Sequence, residues 1–172
     1  MIYADHAATT KISETAKLAM LSAMEKDWYN PSSLYTPGQQ ASGTLMDARG
    51  RISRCLGCLP KEIYFTSGGS EADNQAILSA AAIGKRQGKM HIISTAFEHH
   101  AVLHTLKKLE KEGFEITLLD VGEKGIVSPA QVEKAIRPDT ALVTVMYANN
   151  EIGTIMPISE IGAVCRLSLI HI

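Results

Sequence analysis

The chain has 172 residues, of which 45% are hydrophobic and 20% are charged, and its formal net charge is −1. This composition indicates a globular domain with a sizeable core and excludes a disordered chain. The sequence has no basic stripe, no apolar run long enough to span a bilayer and an odd number of cysteines, three, so we expect a cytoplasmic protein that binds neither nucleic acid nor membrane directly.

The first 65 residues predict two helices and one strand. Ser13 is a good N-cap for a helix that runs to about Trp28, and Asn30–Ser33 then provides a stop and a loop. Apolar residues recur at helical spacing over 38–57, which predicts a second helix that ends at its last glycine. The short apolar run Ile63–Phe65 predicts a buried strand.

From residue 61 onward, patterns typical of strands and of helices alternate. The predicted strands are 63–65, 90–94, 114–119 and 141–147, and the predicted helices lie at 75–82, 99–112, 128–137 and 158–165. The third of these strands alternates poorly, which predicts that it is covered on both faces. This order indicates an α/β fold with a mainly parallel sheet flanked by helices.

A glycine-rich turn, Ser67–Ser70, joins the first of these strands to the helix after it. Ser70 is a good N-cap, and Asp73 three residues later completes a capping-box pattern. A helix start has unpaired N–H groups and a partial positive charge, and Gly68 and Gly69 allow an anion to approach the backbone. The turn therefore predicts a phosphate cradle, although an ordinary turn with a good cap has the same sequence.

Polar clusters follow three of the predicted strands. They are the glycine-rich turn, Glu98–His100 and Asn149–Glu151. Because ligands collect beyond the carboxyl ends of parallel strands, these clusters are expected to converge, and their convergence favours the phosphate cradle.

The cysteines predict no metal site. Cys55 and Cys58 form a C-x-x-C pair, which is at most half of a four-ligand zinc site. A thioredoxin-like redox pair would lie at the start of a helix, whereas this pair lies at a predicted helix end. Cys165 is predicted to be a core residue.

Five motifs together resemble the N-terminal part of the cysteine desulfurase family, which belongs to the class V, fold-type I pyridoxal-phosphate enzymes. They are Tyr3–Thr10, Asn30–Ser33, Phe65–Asn74, Glu98–Val102 and Asn149–Thr154. Their order and spacing are specific, and the match runs from residue 2 to Cys165. The resemblance implies a partial fold-type I large domain, with later strands missing, that uses pyridoxal 5′-phosphate as its cofactor.

The resemblance also implies roles for residues that match the motifs. Gly69 and Ser70 would bind the cofactor phosphate, at a position where the family often has threonine in place of Ser70. His99 would stack on the cofactor ring and help to move protons, although without the family match a capping or solvent-facing histidine explains it better. Asn150 would hydrogen-bond near the phenolic oxygen of the cofactor or the substrate carboxylate, although asparagine is also common in turns. Asn30–Ser33 would border the site.

Other parts of the family's chemistry match no residue of this sequence. The resemblance requires a Schiff-base lysine, a nucleophilic cysteine, an aspartate facing the pyridinium nitrogen and an arginine for the substrate carboxylate, all beyond Cys165 in the family pattern. From the resemblance we expect residues 167–172 to lie outside the family pattern, as after a frameshift. We therefore expect an N-terminal segment (1–14), a partial cofactor-binding domain (15–166) and a non-family tail (167–172), in a chain that is inactive alone.

The implied reaction converts L-cysteine to L-alanine and an enzyme-bound persulfide, which supplies sulfur for iron–sulfur clusters or for thio-cofactors and tRNA. The implied partners are L-cysteine, a sulfur-acceptor protein and a second copy of the chain, because family active sites lie at a subunit interface. Two alternative functions remain open. The chain could belong to a selenocysteine lyase or another class V aminotransferase-like enzyme, or it could be a non-catalytic module that binds a phosphate ligand. A nucleotide module would need an acidic residue roughly twenty residues past the glycine-rich turn. The sequence has Ser94–Phe97 there, which counts against this rival.

Overall fold

The computed structural model describes residues 2–168. The chain divides into two compact units, the first ending at Phe65 and the second beginning at Thr66. The first unit contains helix α1 (Glu14–Lys26), helix α2 (Thr36–Leu56) and a 3-10 turn (Pro60–Glu62). None of the helices in the described part of the chain is both long enough and apolar enough to cross a membrane.

The two helices of the first unit are where the sequence predicts them. The Ser13 hydroxyl accepts a hydrogen bond from the N–H of Ala16 at 3.2 Å and caps α1, as predicted. Gly57 ends α2 in the left-handed region, with φ 68°, which a glycine adopts without strain. The N–H of Cys58 then donates to the carbonyl of Ser53 at 3.0 Å and closes the end of the helix.

The strand predicted at Ile63–Phe65 is wrong. The backbone of Ile63 is extended, with φ −90° and ψ 123°, but no described strand pairs with this segment. Tyr64 is 74% exposed, so the segment is not buried either. The Phe65 ring lies instead beneath the guanidinium of Arg49, 5.1 Å from its centroid. The extended conformation is a local property and was predictable, whereas pairing needs a neighbour elsewhere in the chain.

The second unit alternates helices and strands. Its elements are α3 (Gly69–Arg86), β1 (His91–Thr95), α4 (His100–Lys111), β2 (Glu115–Leu119), α5 (Pro129–Ala135), β3 (Thr140–Val143) and α6 (Ile158–Leu167). The strands form one sheet in the order β2-β1-β3, and both pairings are parallel. The α/β fold with a parallel sheet flanked by helices is therefore confirmed. The predicted capping box at the start of α5, formed by Ser128 and Gln131, is also confirmed.

The central strand β1 separates two hydrophobic cores. Ile92 packs with residues of α3 and α4 on one face of the sheet. Ile93, whose side chain points to the opposite face, packs with residues of α5 and α6. Cys165 belongs to this second core and is 1% exposed, which confirms the prediction that it is a core residue.

The two outer strands differ from the prediction. We expected β2 to be covered on both faces, but it is an edge strand in which Leu118 is 49% exposed. β3 ends at Val143 rather than at Tyr147. The N–H of Thr144 still bonds to the carbonyl of Ile93, at 2.9 Å, but the N–H of Met146 bonds to a side-chain carboxylate instead of to β1.

A buried histidine joins all three strands. The Nδ1 atom of His91 lies 2.8 Å from the hydroxyl of Thr140 in β3, and its Nε2 atom lies 2.9 Å from the hydroxyl of Thr117 in β2. Burial lowers the pKa of His91 below its ordinary value of 6.5, and the positive charge of Arg137 lowers it further, against smaller opposing effects of Asp139 and Glu115. The folded state therefore favours the neutral imidazole.

This burial predicts a loss of stability in acid. Because the unfolded chain binds a proton that the folded chain excludes, the free energy of unfolding should fall as the pH drops below about 6.5, by at most roughly 1.4 kcal/mol per pH unit. We expect urea unfolding between pH 5 and 8 to show this slope, and H91Q to reduce it. The control H104Q changes an exposed histidine and should leave the slope intact. An unchanged slope in H91Q would contradict the assignment.

Gly84 lies where α3 packs against β3, at a contact too close for a side chain. A Cβ atom there would overlap the Cβ of Ala141 and lie 3.2 Å from the carbonyl oxygen of Lys89. We expect G84A to lower the free energy of unfolding by about 1–3 kcal/mol, since overpacking a close contact costs that much. G162A is the matched control, because a Cβ at Gly162 meets nothing closer than 3.9 Å. It should gain up to about 1 kcal/mol in urea unfolding, because alanine favours the helix.

Candidate functional site

The glycine-rich turn begins α3, but it is capped differently from the prediction. The N-cap is Gly68, and Ser70 is the second residue of the helix, so the predicted capping box of Ser70 and Asp73 is wrong. The carboxylate of Glu71 accepts hydrogen bonds from the N–H and the hydroxyl of Ser67, at 2.7 and 2.6 Å. The side-chain bond and then the backbone bond hold the pKa of Glu71 below its usual range. These bonds fix the turn without using Ser70.

The start of α3 is open to a ligand. The first N–H groups of a helix have no acceptor within it, and those of Gly69 and Ser70 make no hydrogen bond among the residues that the structure describes. Cβ atoms built on Gly68 and Gly69 would meet nothing within 4 Å. Gly69 and Ser70 are exposed. Free donors at the positive end of an 18-residue helix, beside open space, are suited to an anion.

The second polar cluster follows β1. Glu98 is 6% exposed, and its Oε1 atom accepts a hydrogen bond from the hydroxyl of Thr95 at 2.7 Å and another from the N–H of Met146 at 2.8 Å. His99 is exposed and is the N-cap of α4. Its Nδ1 atom accepts a hydrogen bond from the N–H of Ala101 at 3.2 Å, which leaves Nε2 free.

The third cluster follows β3. Asn149 is 6% exposed, and its Oδ1 atom accepts hydrogen bonds from the N–H groups of Glu151 and Ile152, at 2.8 and 3.0 Å. Asn150 is exposed, and its Nδ2 atom donates to the carboxylate of Glu151 at 2.8 Å. The buried asparagine therefore forms the turn, and the exposed one remains accessible.

Hydrogen bonds bring the segments that carry the three clusters together. Asn149 donates from Nδ2 to the carbonyl of Phe97 at 3.2 Å, which joins the second and third clusters. Asn74 of α3 donates to the carbonyl of Ala101 in α4 at 3.4 Å and accepts from Thr105, which joins the first cluster to the second. Among the described residues, the four predicted site residues make no hydrogen bonds to one another's side chains. These residues are Gly69, Ser70, His99 and Asn150.

Sequence reasoning missed the residues that hold these clusters in place. Glu98 and Asn149 were noticed only as members of polar clusters, and Asn74 only as the end of a motif. A signal for Asn149 was available, since an asparagine that opens a turn often accepts a bond from an N–H two residues later. The burial of Glu98 has no comparable local signal, because it depends on Met146, 48 residues further along the chain.

The comparisons with known proteins identify the class of protein. The family model of the class-V aminotransferases matches residues 2–171, and the chain belongs to this family. Its relatives include cysteine desulfurases named IscS. One from Methanosarcina thermophila is 46% identical over 170 residues, which is 99% of this chain and 42% of the relative. One from Clostridium botulinum (strain Hall) is 48% identical over 165 residues, which is 96% of this chain and 41% of the relative.

Solved structures agree with this assignment. A NifS-like protein superposes with a TM-score of 0.91 at 33% identity, over 96% of this chain and 45% of its own. SspA in complex with cysteine superposes with a TM-score of 0.92 at 38% identity, over 98% of this chain and 48% of its own. The predicted family resemblance and fold class are confirmed. The chain spans about two-fifths of the length of the curated relatives that it matches. Membership of the family implies dependence on pyridoxal phosphate in general.

The buried carboxylate of Glu98 predicts a second dependence of stability on pH. Burial raises the pKa of Glu98 above its ordinary value of 4.5, the charge of Asp73 raises it further, and the bonds from Thr95 and Met146 oppose both. Between the ordinary pKa and the raised one, the folded chain holds a proton that the unfolded chain has lost. Stability contributed by Glu98 therefore falls as the pH rises through this window.

Replacing the Glu98 carboxyl group by a neutral amide should remove this loss of stability. We expect E98Q to gain stability relative to the unmodified chain as the pH rises above about 4.5, by roughly 1.4 kcal/mol for each tenfold change in the proton affinity of Glu98. Urea unfolding of both chains between pH 4 and 8 measures the difference. The control E123Q changes an exposed glutamate and should show none. A difference between E98Q and the unmodified chain that is constant with pH would contradict the raised pKa.

Proposed function

We propose that the chain forms the cofactor-binding part of a pyridoxal-phosphate-dependent cysteine desulfurase, which converts L-cysteine to L-alanine and an enzyme-bound persulfide. The observation that carries the proposal is the open start of α3. Among the described residues, the N–H groups of Gly69 and Ser70 have no acceptor, and a Cβ atom built on Gly69 would meet no atom within 4 Å. This arrangement fits the phosphate of such a cofactor. The names of the relatives support the reaction.

In this proposal, Gly69 and Ser70 bind the cofactor phosphate. Two backbone N–H groups and the Ser70 hydroxyl supply three donors, and the helix dipole favours the negative charge. The exposed Ser70 side chain is free for this role, because Ser67 and Glu71 already hold the turn. A serine hydroxyl donates as well as the threonine that the family often has at this position.

His99 and Asn150 would contact the ring and the substrate. Because Nδ1 of His99 accepts a bond from a backbone N–H, the neutral imidazole carries its proton on Nε2. His99 would then stack on the ring and hold or pass a proton at Nε2. Asn150 would donate from Nδ2 to the phenolic oxygen of the cofactor or to the substrate carboxylate, exchanging its bond to Glu151.

The cofactor, when bound, supplies an electron sink for the reaction at the substrate. L-Cysteine as the substrate is supported by the complex of SspA with cysteine. The proposal extends to a sulfur-acceptor protein and a second copy of the chain, which the family resemblance supports. It also extends to a cytoplasmic location, which the odd number of cysteines supports. It gives no residue of this sequence the role of the cofactor-bound lysine or of the nucleophilic cysteine.

Cofactor binding is tested with pyridoxamine 5′-phosphate, which has no aldehyde and so does not react with surface lysines. We expect the chain to bind it in a fluorescence titration. S70A should weaken binding by about tenfold or more, since a hydrogen bond to a charged group contributes roughly 1.5–3 kcal/mol. S79A removes an exposed serine further along α3 and should bind as the unmodified chain does. Equal binding by S70A and the unmodified chain would contradict the role of Ser70.

The reaction is tested in a chimera in which residues 2–166 replace the matching segment of the Methanosarcina thermophila relative. We expect the chimera, loaded with pyridoxal phosphate, to form alanine from L-cysteine in the presence of a thiol reductant. Introducing H99A should abolish most of this activity, whereas H104A, which changes an exposed histidine of the same helix, should preserve it. A folded, cofactor-loaded chimera that forms no alanine would refute the proposed reaction.

A further inference from the structure

Two pairs of neighbouring residues follow the same pattern at the carboxyl end of the sheet. In each pair the first residue is a buried polar residue, Glu98 or Asn149, and the second is an exposed one, His99 or Asn150. The exposed members are the residues proposed to contact the cofactor. Both buried members form hydrogen bonds to a segment that follows another strand, so each of them holds two segments together.

Glu98 links the end of β1 to the segment after β3. A single oxygen of its carboxylate accepts both the hydroxyl of Thr95, the last residue of β1, and the N–H of Met146. The bond to Met146 replaces the backbone pairing that β3 would otherwise continue. A bond that a carboxylate accepts in a buried setting is stronger than a neutral one and fixes the geometry more tightly.

Asn149 makes the second link, with its side chain reaching from the segment after β3 to the segment after β1. Its Nδ2 atom donates to the carbonyl of Phe97, in the loop that follows β1. Its Oδ1 atom accepts the N–H groups of Glu151 and Ile152 and so closes the turn that contains Asn150. The main-chain N–H of Asn149 also donates to the carbonyl of Thr154 at 2.9 Å, which closes the turn at its base.

Both links join the segment after β1 to the segment after β3. Backbone pairing between β1 and β3 is last present at the bond from Thr144 to Ile93. Beyond that bond, two side-chain hydrogen bonds join the segments. The N–H of Met146 donates to the carboxylate of Glu98, and Nδ2 of Asn149 donates to the carbonyl of Phe97. Side chains thus continue the attachment of the strands past the end of the sheet, directly beside His99 and Asn150.

We propose that Glu98 and Asn149 are positioning residues, which fix the two strand ends to each other so that His99 and Asn150 are held at a set separation for the cofactor ring. The inference rests on the proposed function for the roles of His99 and Asn150. It adds two residues that would act through His99 and Asn150. The phosphate cradle lies on α3 and does not depend on either link.

The test separates ring binding from phosphate binding in the full 172-residue chain. E98A should raise the Kd for pyridoxamine 5′-phosphate by about tenfold, as expected for the loss of a buried bond to a charged group. The Kd for inorganic phosphate should stay the same. E98Q keeps an acceptor oxygen and should restore binding. The control E123A, at an exposed glutamate, should change neither constant.

N149D provides a second variant that keeps the turn. An aspartate retains the acceptor for Glu151 and Ile152 but loses the donor to Phe97. We expect N149D, like E98A, to raise the Kd for pyridoxamine 5′-phosphate and to leave the Kd for inorganic phosphate unchanged. The proposal is overturned if either variant weakens the binding of both ligands equally, because that outcome indicates a general loss of structure. It is also overturned if neither variant weakens the binding of pyridoxamine 5′-phosphate.

A nuclear magnetic resonance measurement on the ligand-free chain distinguishes this inference from the proposed function. In E98A, the N–H of Met146 should exchange faster with solvent, and the ring resonances of His99 and the side-chain amide of Asn150 should both shift. If the unmodified chain binds no pyridoxamine 5′-phosphate, the proposed function fails, and these shifts alone decide whether the links position His99 and Asn150. Unshifted resonances in E98A and N149D would overturn the inference.

Discussion

The parallel pairing of β1 with a strand on each side is the interaction on which the second unit depends. All five residues of β1 are buried, and its ladders to β2 and β3 use both edges of its backbone. Its successive isoleucines supply one residue to each hydrophobic core. A strand fully enclosed in this way cannot shift by one residue without exchanging its two faces. The loop after β1 therefore starts from a fixed point, and it carries Glu98 and His99 of the candidate site.

Local signals in the sequence were sufficient for most of the helices and for the class of the fold. Ser13 and the pair Ser128 and Gln131 mark helix starts by hydrogen bonds to residues three positions away, and such bonds can be predicted from the sequence. The alternation of strands and helices likewise predicts a parallel sheet. The strand predicted at Ile63–Phe65 was wrong because pairing depends on residues far away in the sequence. β3 was predicted too long for the same reason, since Glu98 takes the N–H of Met146.

The candidate site shows the same division between local and distant information. Gly69, Ser70, His99 and Asn150 were predicted as site residues from the family resemblance, which contiguous motifs carry. Their roles remain predictions. The burial of Glu98 and Asn149 was not predicted, because burial is set by the packing of separate segments. Of the two, only Asn149 had a local signal, the turn that it opens. Polar residues that lie side by side in the sequence thus divide into one that holds the backbone and one that faces outward.

The nearly uncovered helices of the first unit have a consequence for calorimetry. Helix α1 has no buried residue, and α2 buries only Gly38, Ala41 and Ser53. Unfolding this unit therefore exposes little apolar surface that is not already in water. Since the heat capacity increment of unfolding scales with newly exposed apolar area, the increment per residue should be small for the first unit and near the usual value of about 12–15 cal/mol/K for the second. The temperature dependence of their stabilities should differ accordingly, with a flat curve for one and a strongly curved one for the other.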